Sequence, residues 1–217
     1  MPESKVHRYD SAYGVVTWDA VRCIHAAECV RGLPQVFDPK AKPWIAPEKS
    51  DADTIAAVIA RCPSGALHLE RRDGGAAEAP DPQNTATVTA NGPNYLRGDL
   101  AIVADDGAVL ATETRIALCR CGGSQNKPLC DGTHRKNGFA DAGRLPAAVA
   151  APADANASGR VTVRAIANGP IKCVGPLTMR GTDAASAFAD ATVLCRCGHS
   201  ANKPYCDATH KRIGFKS

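Results

Sequence analysis

The stretch "CRCGGSQNKPLCDGTH" runs from Cys119 to His134, and "CRCGHSANKPYCDATH" runs from Cys195 to His210. Both read Cys-x-Cys, eight residues, Cys, three residues, His. From the first Cys onward the two copies keep a constant offset of 76 residues, and "GF" closes both, at Gly138–Phe139 and Gly214–Phe215. Working outward, "ANGP" occurs at Ala90–Pro93 and again at Ala167–Pro170. A β-type run precedes each "ANGP" and another apolar run follows it, so the chain contains an internal duplication of two β-rich modules.

Thiolate and imidazole together select zinc or an iron–sulfur cluster. Zinc fingers usually separate their first ligand pair by two to four residues, so the one-residue gap counts against zinc without excluding it. The third Cys and the His stand four apart and would share a face of a helical turn. Asp131, just after Cys130, is placed to cap that turn and accept local backbone N–H groups.

Both copies resemble the CDGSH motif of NEET-type iron–sulfur proteins. The first matches at Cys119, Cys121, Ser124, Pro128, Cys130, Asp131, Gly132 and His134. The second matches at Cys195, Cys197, Ser200, Pro204, Cys206, Asp207 and His210, and departs at Ala208, where the family has Gly. Ala is expected to fit a helical first turn there; a positive φ would strain it. The resemblance implies a 2Fe–2S cluster at each site, held by three Cys and one His, with Asp131, Asp207, Lys127 and Lys203 lining the cofactor. Three thiolates and a neutral imidazole leave an oxidised 2Fe–2S core at about −1, against about −2 for four thiolates, so the potential should lie above that of a four-Cys ferredoxin. Protonated imidazole cannot bind iron, so mild acid should labilise each cluster. Of the other flanking basic residues, Arg120, Arg135, Lys136, Arg196, Lys211 and Arg212, some are expected to raise the potential further and most read as a solvated rim. Two-motif members fold as an intrachain pseudo-dimer, and the resemblance covers residues 86 to 217.

"RCIHAAECVRGLPQVFDP", with "RCPSGALHLE" further on, resembles a divergent single-cluster bacterial ferredoxin at Cys23, Cys29 and Cys62–Pro63. The middle Cys of the usual pattern is replaced by Ala26. Three Cys suit a 3Fe–4S cluster. A 4Fe–4S cluster needs His25, Glu28 or solvent on the fourth iron, and a zinc site of Cys23, His25, Cys29 and Cys62 is the plain alternative. "YGVVTW" and "ALHLE" read as strands. "SDADTIAAVIARC" reads as a helix capped by Ser50, with Asp53 completing a capping box and Pro63 ending it. Trp18 and Trp44 are expected in the core of this unit.

The fold class expected is α+β: a small ferredoxin-like domain (11–71), a linker (72–86), a first CDGSH module (87–142), a second linker (143–159) and a second module (160–217). Ten cysteines, with no apolar leader in "MPESKVHRYD" and no span of about 20 apolar residues, suit a soluble cytoplasmic chain in which Cys binds metal. A net charge of +4 without a basic stripe gives no reason to expect nucleic acid. No phosphate loop, nucleophile elbow or paired carboxylates point to an enzyme. The expected role is an electron carrier serving a redox partner protein, with a cluster carrier or redox/pH sensor that delivers a labile 2Fe–2S cluster to an apo iron–sulfur acceptor as the alternative. Cys173 reads as a buried thiol and His199 as a non-ligand.

Overall fold

The computed structural model describes residues 5–146 and 158–217, so residues 147–157 of the second expected linker lie outside the described part. The chain divides into two compact units, residues 2–79 and 80–217.

In the N-terminal unit, β1 (Val6–Ser11) and β2 (Gly14–Asp19) form a hairpin, and β3 (Leu67–Arg71) pairs antiparallel with β2. Between them lie a short α1 (Glu28–Gly32) and the two-turn α2 (Ala52–Ile59). Val16, Phe37, Ile45, Ile55, Val58, Ile59, Leu67 and Leu69 fill the space between sheet and helix. Ile55, Val58 and Ile59 follow helical spacing, so one face of α2 is apolar and lies inward. Trp18 and Trp44 meet edge to face at 5.0 Å and pack against this core. The helix cap differs from expectation by one residue. Asp51, not Ser50, is the N-cap: its carboxylate accepts from the Thr54 N–H at 2.8 Å and the Thr54 hydroxyl at 2.7 Å. Asp53 does not close a capping box; it pairs with Arg71. The helix ends at Ile59, and a tight turn leads to Cys62.

The second unit is β-rich. Its first half supplies β4 (Thr85–Val88), β5 (Asn94–Val103) and β6 (Val109–Leu118). The second half supplies β7 (Val161–Ala165), β8 (Ile171–Arg180) and β9 (Ser186–Leu194), followed by a one-turn α3 (Thr209–Arg212). Each half is an antiparallel meander, β4–β5–β6 and β7–β8–β9. The meanders are then cross-linked: β4 also pairs parallel with β8, and β7 pairs parallel with β5. The first strand of each half therefore hydrogen-bonds to the second strand of both halves. Leu96, Leu100, Ile116, Val161, Val163, Ile171, Leu177 and Met179 form a core drawn from both halves. Cys173 is buried in it, with its thiol pushed up to about 12 by burial, as expected of a packed thiol.

Candidate metal centres

β6 carries Cys119 to the end of the sheet, and β9 carries Cys195 to the equivalent place. Each motif loop is clipped back onto the strand that delivers it. The Cys119 N–H donates to the Pro128 carbonyl and the Cys130 N–H to the Ala117 carbonyl, both at 2.8 Å. The second loop repeats this with Cys195 on Pro204 at 2.8 Å and Cys206 on Val193 at 2.9 Å. The peptide bonds before Pro128 and Pro204 are both cis. Inside the first loop the buried Ser124 hydroxyl donates to the Leu129 carbonyl at 2.6 Å and accepts from the Asn126 N–H at 3.0 Å. Ser200 does the same with Tyr205 and Asn202, at 2.7 and 3.0 Å. These hydrogen bonds account for the Ser of the motif: its hydroxyl ties one side of the loop to the other.

The four donors of each motif are arranged two and two. Cys119 Sγ and Cys121 Sγ are 3.9 Å apart, and Cys195 Sγ and Cys197 Sγ 3.8 Å. Cys130 Sγ lies 3.3 Å from His134 Nδ1, and Cys206 Sγ 3.4 Å from His210 Nδ1. Two sulfurs on one tetrahedral metal stand about 3.8 Å apart, and a sulfur and a nitrogen about 3.5 Å, from bonds of ~2.3 and ~2.0 Å. Each pair thus fits one metal. Among the described residues no three Cys, His, Asp or Glu side chains converge on a single ion. A single tetrahedral ion would need all four donors together, whereas each motif presents them as two separate pairs.

The thiols favour a bound cation electrostatically. Cys119 is pushed up by its hydrogen bond to Cys121 and by burial, while the same bond holds Cys121 down at about 6. Burial pushes Cys130 up to about 11, and raises Cys197 and Cys206. Such buried thiolates need a positive partner to stay charged. Burial also lowers the His134 pKa, helped by Arg135 and Arg120 against the pull of Asp131, which keeps its imidazole in the neutral, ligating form.

Asp131 and Asp207 act on the loop backbone. Asp131 accepts from the Thr133 N–H at 2.9 Å and the Gln125 N–H at 2.8 Å; Asp207 accepts from Thr209 and Ala201 at the same distances. Lys127 and Lys203 each donate their ammonium to a loop carbonyl, of Ser124 and Ser200. The helical turn after each Cys-Asp pair begins later than the spacing suggests, at Thr133 and Thr209. The residue before it is left-handed: Gly132 at φ 85° and Ala208 at φ 67°. Ala208 does not sit in a helical first turn, and its backbone is strained. This turn aims the N–H of residue 132 or 208 at the preceding thiol, 3.3 Å to Cys130 Sγ and 3.4 Å to Cys206 Sγ.

Two residues read as rim turn out to be buried. Arg120 and Arg196, each between the two Cys of a pair, are 1% and 4% exposed. Arg120 donates to the Gly92 carbonyl at 3.0 Å, to the Thr89 carbonyl, and to the Asp141 carboxylate. Arg196 donates to Gly169 at 2.8 Å and Ile166 at 2.6 Å. They lock the two "ANGP" turns beneath the motifs, which is why those turns are repeated. The signal was present: an Arg at the same offset in each copy, beside a duplicated turn. The other flanking cations, Arg135, Lys136, Lys211 and Arg212, are exposed. His199 is exposed too, with Nδ1 on the Cys197 carbonyl at 2.8 Å, away from the donor pairs.

The motifs also touch each other. A Cβ on Gly122 (φ 77°) would lie 2.4 Å from the Cys197 carbonyl oxygen, and one on Gly198 (φ 85°) 2.7 Å from that of Cys121. Only glycine allows this reciprocal approach.

In the N-terminal unit, Cys23, Cys29 and Cys62 line one cavity of about 600 Å³ together with Tyr9, Trp18, Ile24 and Trp44. Burial, with the nearby Cys62 and Cys23 thiolates adding to it, pushes Cys29 up to about 11. Cys23 and Cys62 both lie close enough to Cys29 to act on it electrostatically, and the cavity is roomy and mostly apolar.

Comparison with known proteins agrees with this donor chemistry. Residues 13–72 match a family model described as a divergent 4Fe–4S mono-cluster. Residues 91–135 and 168–211 match one described as an iron-binding zinc finger of CDGSH type. The chain is an iron–sulfur protein of the CDGSH family. Its two CDGSH domains follow a divergent 4Fe–4S mono-cluster domain. Uncharacterized protein YjdI of Escherichia coli, strains K12 and O157:H7, is 46% identical to it over 57 residues, which span 26% of this chain and 75% of YjdI. Among the described residues no helix of this CDGSH protein is long and apolar enough to cross a membrane.

Proposed function

We propose that this CDGSH protein is an electron carrier, with a 2Fe–2S cluster at each motif and a cubane-type cluster in a ferredoxin-like N-terminal unit. The observation that carries the reading is the two-and-two donor geometry, repeated in both motifs. Bound there, a 2Fe–2S cluster supplies one-electron redox chemistry. Cys119 and Cys121 would hold one iron and Cys130 and His134 the other, with Cys195, Cys197, Cys206 and His210 in the same roles. The chain's own groups do the rest. The clipped loops hold the donors in place, which limits rearrangement on a change of charge. The N–H groups aimed at Cys130 and Cys206 stabilise the more negative state. The exposed cations beside each His offer a docking rim for an acidic redox partner protein.

The cross-paired strands and the reciprocal Gly122–Cys197 and Gly198–Cys121 contacts support an intrachain pseudo-dimer; we propose further that it acts as a monomer in the cytoplasm, without membrane, nucleic acid or substrate of its own. Anaerobic purification with iron and sulfide counting, then reversible reduction followed by EPR, tests the reading. Reduction and reoxidation should leave the iron content unchanged. Loss of 2Fe–2S absorption as an apo-ferredoxin gains it would favour cluster delivery instead, and colourless protein with zinc would overturn both.

A further inference from the structure

Three cysteines line the N-terminal cavity, one short of the four ligands of a four-iron cube. Two other side chains on its wall could serve as metal donors near the position where the middle Cys is replaced by Ala26: His25 and Glu28. Glu28 is committed elsewhere, because Arg31 donates to its carboxylate one turn along α1. His25 is different in three respects. It has no hydrogen bond or ion pair among the described residues, it is exposed at the cavity mouth, and its backbone is left-handed at φ 53°. Ala27 is left-handed as well, at φ 62°, so the chain between Cys23 and Cys29 turns sharply on both sides of Ala26. Positive φ at non-glycine residues persists where the surroundings demand it, and ligand clamps are one such place.

From this geometry we infer that His25 is the fourth ligand of a 4Fe–4S cluster whose other irons are held by Cys23, Cys29 and Cys62. The assignment rests on the cluster reading of this unit. A Cys-x-His turn here does the work of the missing Cys. Neutral imidazole in place of thiolate leaves the site one charge less negative than a four-Cys cube.

The test uses the full chain, purified without oxygen, as wild type, His25→Ala and His25→Cys. Wild type should carry about eight irons and, oxidised, give no EPR signal, since oxidised 2Fe–2S and 4Fe–4S centres are both silent. His25→Ala should lose about one iron as Fe2+ and, after anaerobic one-electron oxidation with a dye such as thionine (applied to every variant alike), show the signal of an oxidised three-iron cluster at one per chain. His25→Cys should restore eight irons and silence. The roughly four irons of the CDGSH sites, unchanged throughout, report that each variant has folded. Eight irons and a silent spectrum in His25→Ala would overturn the ligand assignment alone. A three-iron signal in anaerobic wild type would overturn it too. Zinc in the wild-type N-terminal unit would overturn the cluster reading and the assignment with it.

Discussion

In the first CDGSH half the left-handed residue after the Cys-Asp pair is Gly132; in the second it is Ala208. In the first half the buried Arg120 pairs with the Asp141 carboxylate. In the second half the backbone partner that matches Asp141 is Ser217: Asn91 Oδ1 accepts from the Asp141 N–H at 2.8 Å, and Asn168 Oδ1 from the Ser217 N–H at 2.9 Å. Both guanidiniums donate to two carbonyls and lie over a ring, Arg120 over Phe139 at 5.1 Å and Arg196 over Phe215 at 5.6 Å, but Ser217 brings no carboxylate side chain to Arg196. Burial lowers the Arg196 pKa, and the nearby Cys119 of the other half opposes that shift. Cys130 is buried at 3% exposure, while Cys206 is half-buried. Duplication copied the donor set and the loop clips, but not the charge balance beneath them or the backbone comfort beside them. Two sites with the same ligands therefore differ in how firmly their protein holds them.

The largest effect is expected at the ligands themselves, where the two halves should behave alike. His134→Cys and His210→Cys each add one negative charge to one site. Each should lower the potential of its own cluster by on the order of 200 mV, the scale that separates His-ligated from all-Cys 2Fe–2S centres. A redox titration followed by EPR reads this. If either substitution moves both potentials equally, the sites are not separate and the comparison between them collapses.

The second test separates the halves. Asp141→Ala removes the carboxylate from a buried guanidinium and should destabilise the protein by about 3 kcal/mol, because an unpaired buried charge is left behind. Ser217→Ala, at the matching position, should cost under about 0.5 kcal/mol, since its contact is through the backbone. Denaturant unfolding of the full chain measures both. Equal losses would mean that Arg120 and Arg196 are held alike, and the electrostatic contrast would be wrong.

What could be read in the sequence follows how local each feature is. The donor sets lie within 16-residue stretches, and their spacing carries them directly. The strands beside them followed from alternation and from the repeat. The burial of Arg120 and Arg196 depends on carbonyls of Gly92 and Gly169, far back in the chain; the repeated Arg beside a repeated turn hints at it, but nothing within either motif alone distinguishes a buried Arg from a rim Arg. The cross-pairing of β4 with β8 and β7 with β5 is likewise a non-local choice between two similar partners. The helix cap slipped from Ser50 to Asp51 because two adjacent residues were competent to cap. The left-handed turn at 132 and 208 was masked by a four-residue Cys-to-His spacing that looks helical. Its cause is the N–H that must reach the preceding thiol.

That turn gives the smallest effect and the closest comparison. A left-handed alanine costs about 1 kcal/mol relative to glycine. Ala208→Gly should remove that cost, and Gly132→Ala should introduce it. If an emptied loop can relax, strain is present only while the N–H and thiol are held in place. Iron loss from the second site of the wild-type protein should then be about fivefold faster than from the first, the factor that ~1 kcal/mol corresponds to. Ala208→Gly should bring the two rates together, and Gly132→Ala should bring them together at the faster value. Absorbance decay in the presence of a chelator follows both phases in one trace. Two unequal phases that persist unchanged in both variants would place the difference in the exposure of Cys206 or in Arg196, and would remove residue 208 from the explanation.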